Sequence, residues 1–217
     1  MSSPKSALGL PIVAWLVIAA AFLGFVAVVR GKRLRTREIS LIAALVSACL
    51  ASNYALIWLP NIKAMDLIVF VSGLHFGGYI GAMVGVLVWA IYGSVNPYGF
   101  VLPIWLGCMA SESLFGIGGG AVRGYSSRNR ANVGQPAWLM AVVGFLITFI
   151  YDLAMNFMSA ITISWFETRL ETIVAVIVSG IPFAVVHELS NGIIFFLGVG
   201  PLDSSIGRIA GSKNCVD

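Results

Sequence analysis

The chain has 217 residues, of which 59% are hydrophobic and only 10% charged, with a mean hydropathy of +0.96. A soluble domain carries about a quarter charged residues, so this composition excludes one and requires a lipid-embedded protein whose functional core is a single bundle. The net charge of +4 does not imply nucleic acid, because the basic residues stand in the connections between apolar runs, where membrane orientation accounts for them.

The apolar runs are long and continuous rather than alternating, which predicts helices and not a barrel. Residues 9–29 form the first run, enough to span a bilayer at about 1.5 Å per residue. Positive charge follows this run instead of preceding it, and its core is long, so it reads as a membrane span and not a signal peptide. Arg30, Lys32, Arg33, Arg35 and Arg37 come next and are placed in the cytoplasm, with the N-terminus outside. Residues 39–59 form the second span. Ala44, Ala48, Ala51 and Ala55 recur along it at three- and four-residue spacing, which gives one smooth stripe for a neighbouring helix. Pro60 ends it.

Residues 66–92 pose the main topological question. Gly73, Gly77, Gly81 and Gly85 stand at a strict spacing of four and predict a ridge without side chains, on which another helix packs closely. The region is either one long span or a hairpin broken at Gly77 and Gly78. Charge decides. With the break, Arg123, Arg128 and Arg130 fall on the same side as the first basic run, and ten of the thirteen Lys and Arg residues become cytoplasmic. Only Lys5, Lys63 and Arg169 are then outside. The glycine pair suits a break. Residues 99–118 return inward, and residues 119–135, rich in Gly, Ser, Asn and Arg, read as a flexible connection. The string GIGGG at 116–120 is not preceded by a strand, so it is not a dinucleotide fingerprint. Residues 136–165 run outward, 166–171 form a short external loop, and 172–197 return with a kink expected at 180–182. The expected fold is an all-α integral membrane protein: a six-helix bundle over residues 37–201, one extra N-terminal transmembrane helix with its basic linker over 1–36, and a cytoplasmic tail over 202–217.

The three cysteines form no C-x-x-C and indicate neither a disulfide framework nor a metal cluster. No G-x-S-x-G and no P-loop is present, two histidines are few for acid–base work, and no cofactor is implied. His187 and Glu188 resemble half of a zinc-protease helix, but the second histidine is missing.

Charged groups at bilayer depth cost roughly 2.5–3.5 kcal/mol each on insertion scales, so they need a reason. Glu112, Asp152, His187 and Glu188 fall well inside predicted spans. Thr148, Asp152, Asn156 and Ser159 share one helix face by their spacing. Gly85, Trp89, Tyr92 and Asn96 make a second stripe, Trp105, Cys108 and Glu112 a third, and His187 with Asn191 a fourth. Together they describe a pocket open to the outside, lined by rings and hydrogen-bonding groups. Its carboxylates favour a cationic or polar heterocycle; Lys63 at the mouth is the residue that would reverse this. The plainer reading pairs Glu112 with His187, makes Asp152 and Asn156 interhelical glue, and puts the aromatic residues in an interfacial belt.

The segments TREISLIAALVSA (36–48), PNIKAMD (60–66), GLHFGGYIG (73–81), NPYG (96–99), IYDLAMN (150–156) and HELSN (187–191) resemble, in order and spacing, the substrate-binding S component of energy-coupling-factor (ECF) vitamin transporters. The resemblance covers about residues 37–201. It implies a six-helix bundle that captures a vitamin or vitamin precursor from outside and delivers it by docking on a transmembrane scaffold subunit bound to two ATPase subunits. It places Ala44 and Ala48 at the scaffold interface and the segment 60–66, with Asn61 and Asp66, over the ligand. Glu112, Asp152, Asn156 and His187 correspond by position to ligand contacts. The extra N-terminal span departs from the family's common form. Two other expectations stand beside this one: an intramembrane enzyme acting on a lipid or isoprenoid head group, and a structural membrane subunit without a ligand.

Overall fold

A computed structural model describes residues 36–95, 99, 101–128, 136–163 and 170–211. Among them are six helices: α1 Thr36–Ala55, α2 Met65–Phe76, α3 Gly78–Val95, α4 Leu102–Arg128, α5 Ala137–Ile163 and α6 Leu170–Gly211. The N-terminal span expected over 9–29 lies outside the described residues, as does its basic linker but for Thr36. Four helices, α1, α3, α5 and most of α6, are long and apolar enough to cross a membrane. The outward faces of α5 and α6 carry large apolar side chains such as Leu146, Phe149, Leu153, Leu189, Ile193 and Phe196, a surface that lipid accepts and water does not. Every regular element among the described residues is a helix, and the long apolar ones are those of a multi-pass membrane protein.

The break expected at Gly77 is present. Gly77 adopts φ 93°, ψ 154° and its N–H caps the Gly73 carbonyl at 2.9 Å. Only glycine takes this conformation without strain, so the chain stops α2 here and restarts as α3. The two helices fold back on each other, and a side chain added at Gly81 would lie 2.7 Å from the Gly73 Cα. The four regularly spaced glycines therefore do not form one ridge. Gly73 and Gly81 face each other across a hairpin instead.

Helix α4 wedges onto this hairpin. Side chains added at Gly73, Gly81 and Gly116 would each collide with backbone of a partner helix, and Gly119 and Gly120 lie as tightly against Phe70 and Gly78. The run at 116–120 is thus a packing surface, and the helix continues to Arg128 where a loop from residue 119 was expected. Glycine in a helix costs about 1 kcal/mol relative to alanine, and close contact between three backbones outweighs that here.

Helix α2 is the centre. It packs against α1, α3, α4 and α6, and Met65, Asp66, Leu67, Val69, Phe70, Val71, Ser72 and Gly73 are all buried. A helix apolar on every side is one that is enclosed. Helix α6 pairs along α5 and runs unbroken through residues 180–182 and Pro201 to Gly211, past the end expected at 197. Leu202 and Ile206 pack on the core, and Asp203 holds His75 at 2.6 Å. These contacts extend the helix into what was expected to be a tail.

Candidate functional site

The polar residues of the helix interiors converge. His187 on α6 is fully buried and bonded at both ring nitrogens: Nδ1 to Asp152 of α5 at 3.0 Å and Nε2 to Asp66 of α2 at 2.8 Å. One turn along α6, the Asn191 amide donates to Asp66 at 2.6 Å and to the Thr148 hydroxyl of α5 at 2.8 Å. Glu112 on α4 is also fully enclosed. It stands beside Asp66 and accepts from the Trp89 indole N–H of α3 at 3.0 Å. Five helices thus contribute to one buried polar layer. Glu112 does not pair with His187, because both of that ring's nitrogens already have carboxylate partners.

Among the described residues, Asp66 Oδ1, Glu112 Oε1 and Asn191 Oδ1 have no hydrogen-bond partner. A neutral carboxyl has an O–H to donate, so one proton shared between the neighbouring Asp66 and Glu112 would satisfy two of the three. The placement of Asp66 in the first turn of α2 sets its carboxyl near the positive end of the helix dipole.

Above the layer lie two adjoining cavities. The larger, about 410 Å³, is bounded by the end of α1, the segment 56–63, Trp89, Tyr92 and Gly93 of α3, the start of α4 with Trp105 and Cys108, and Phe183 of α6. The smaller, about 240 Å³, is bounded by Tyr151, Asp152, Met155, Asn156 and Ser159 of α5 and by Gly180, Phe183 and Ala184 of α6. Asn61, Lys63, Trp89, Cys108 and Phe183 border both.

Trp89 is the wall between layer and chamber. Its N–H points to Glu112, its carbonyl accepts from the Trp105 N–H at 2.9 Å, and its ring meets Tyr92 edge-on at 5.4 Å. The segment over the chamber is pinned: Asn61 takes φ 57° and its amide donates to the Phe183 carbonyl at 2.9 Å. This sends Lys63 inward, its ammonium 5.3 Å from the Trp89 ring centre and 4.9 Å from that of Tyr151. Gly180 leaves room for the Asn156 amide, which a side chain there would strike.

Of the residues singled out from sequence, Asn61, Trp89, Tyr92, Trp105, Asp152 and Asn156 border a cavity. Asp66, Glu112 and His187 do not border one; they form the layer beneath. Asn96 lies outside the described residues. Ala44 and Ala48 are exposed on α1. Sequence reasoning put Lys63 only at the mouth, as the residue that would reverse the charge preference, and left Tyr151 out of the site. Tyr151 stands next to Asp152 in the quoted IYDLAMN segment, and Lys63 is one of three basic residues expected on the outer side, which were the available signals. No protein-family model, curated protein or solved structure matches this chain.

Proposed function

We propose that this protein is a membrane-embedded capture subunit: it takes a small vitamin-like molecule into the chamber from outside and passes it on through an energy-coupling-factor-type scaffold and its two ATPases. The observation that carries this reading is the chamber of about 410 Å³, walled by Trp89, Tyr92 and Trp105 and floored by a polar layer. Its size falls within the range of small-molecule sites. His187 has no exposed surface and both ring nitrogens engaged, which suits a fixed binding scaffold better than acid–base turnover. The chain carries no P-loop, so ATP-driven uptake requires a partner that does.

The outward face of α1 supports a docking role. Ala44, Ser47, Ala48 and Ala51 are exposed there, whereas α5 and α6 turn Leu, Ile and Phe outward. Small residues allow close helix approach in lipid.

The test is thermal unfolding of the purified full chain against a panel of vitamins and precursors. A ligand that binds only the folded state stabilises it by mass action, so one compound class is expected to raise the midpoint. Replacing Ala44 and Ala48 by Leu should leave this shift intact and reduce co-purification with the scaffold subunit. A panel without any stabilising member would refute capture; unchanged assembly of the double variant would refute docking through α1.

A further inference from the structure

Within the capture reading, we infer that the ligand carries an anion, a carboxylate or similar single negative group, on a flat apolar body, and that Lys63 receives it. The carboxylates of the helix interiors point the other way, toward a cation, but Asp66 and Glu112 act on Lys63 only from beyond ion-pair distance. Asp66 and Glu112 border neither cavity. Asp152 borders the smaller one, and its two oxygens both lie 3.0 Å from His187 Nδ1.

Lys63 is, among the described residues, the one charged residue lining the larger chamber. Among the described residues no carboxylate lies within ion-pair range of its ammonium; its neighbours are the faces of Trp89 and Tyr151. Ring faces attract a cation but carry no countercharge. Asn53, on the inner side of the last turn of α1, also borders the chamber, but its Nδ2 is closed off from it. An ammonium in a cavity with no carboxylate at ion-pair distance marks a place for an anion. The two other N–H groups of the wall are unavailable, since Trp89 donates to Glu112 and Trp105 to the Trp89 carbonyl. A carboxylate on Lys63 would supply its countercharge, with the ligand's ring against Trp89 and Tyr92.

The experiment uses three probes with one ring: indole-3-acetate, indole-3-acetamide and tryptamine, an anion, a neutral amide and a cation of nearly equal shape. Binding to the full chain in detergent is followed by calorimetry and by thermal unfolding. The acetate is expected to bind roughly tenfold or more tightly than the amide, and the cation most weakly. Lys63→Met should bring acetate and amide to within about twofold of each other, while Lys63→Arg keeps most of the preference. The unliganded unfolding midpoint of both variants reports whether the fold is intact. Equal or tighter binding of the amide or the cation overturns the anion assignment and leaves capture standing. Binding of none of the three overturns the assignment and counts against the chamber itself.

Discussion

Removing the His187 imidazole should destabilise the bundle without emptying its core. In His187→Leu the side-chain volume is roughly kept, but Asp152 and Asp66 both lose a donor. Asp66 retains Asn191 at 2.6 Å, and Asp152 is left with no described side-chain donor. Breaking a buried charged pair by deleting one partner costs about 3–5 kcal/mol in soluble proteins. Interhelical hydrogen bonds within membranes average only about 0.6 kcal/mol, with a maximum near 1.7. Two bonds at the membrane average give a floor of about 1 kcal/mol, and an uncompensated carboxylate lifts the figure towards 3. We expect a loss of about 3 kcal/mol, read from unfolding of the purified protein in mixed micelles titrated with a denaturing detergent. The decisive arm is the cycle with Asp66→Leu. The double variant loses the Asp66–His187 bond once, whereas the two singles each count it, so it should be less destabilised than the sum of the singles by 1 kcal/mol or more, about the scale of coupled contacts. A loss below about 1 kcal/mol with additive singles would show that the polar layer does not hold the helices together.

Gly116→Leu should abolish the folded state, because its backbone neighbours Gly81 and Ala82 cannot move aside; Gly124→Ala, where nothing lies within 4 Å, should raise stability by roughly 0.5–1 kcal/mol, and a reversed order of the two in the same unfolding assay would contradict the packing described. At the opposite end of the bundle from the chamber, Asp203→Asn removes the pair with His75, whose side chains are 20% and 44% exposed. Such a pair contributes at most about 1 kcal/mol, so high salt and this substitution should each shift the unfolding midpoint little compared with His187→Leu.

The topology of α2 and α3 was legible from charge. Placing ten of thirteen basic residues on one side required a turn at Gly77, and the turn is there at φ 93°. The use of the glycines was less legible, because a spacing of four describes one helix face only while the helix continues. Once Gly77 breaks it, Gly73 and Gly81 meet across a turn, and the third partner, Gly116, is remote in sequence. That partner also explains the misplaced end of the following helix. A run of Gly and Ser reads as a loop by propensity, and only tertiary contact with Phe70 and Gly78 keeps α4 helical through 118–120. The site divides in the same way. Periodicity identified Thr148, Asp152, Asn156, His187 and Asn191 as inward-facing, since each stripe lies on one helix. It could not say which carboxylate meets which donor, because those pairings join residues 121 and 125 positions apart. Lys63 was the least legible, since its direction depends on the Asn61 backbone and on a hydrogen bond to Phe183.

The separation of layer from chamber resolves why so many ionisable groups are tolerated in one small bundle. Had Glu112, Asp66, Asp152 and His187 all faced the cavity, the ligand would have had to match several charges, and the empty chamber would have left them unpaired. Instead the charges largely compensate one another below Trp89, where hydrogen bonding offsets much of their desolvation. The larger chamber above presents rings and, among its described lining residues, one ammonium. Trp89 belongs to both, donating down to Glu112 at 3.0 Å while its ring lies under Lys63 at 5.3 Å. Trp89→Phe therefore separates the two roles: it keeps a ring in the wall for the ligand but strips Glu112 of its donor. If layer and chamber are independent structures, this variant loses stability and retains binding. If the layer sets the wall, affinity falls with it, by an amount that Glu112→Gln, which keeps an oxygen to accept the Trp89 N–H, does not reproduce.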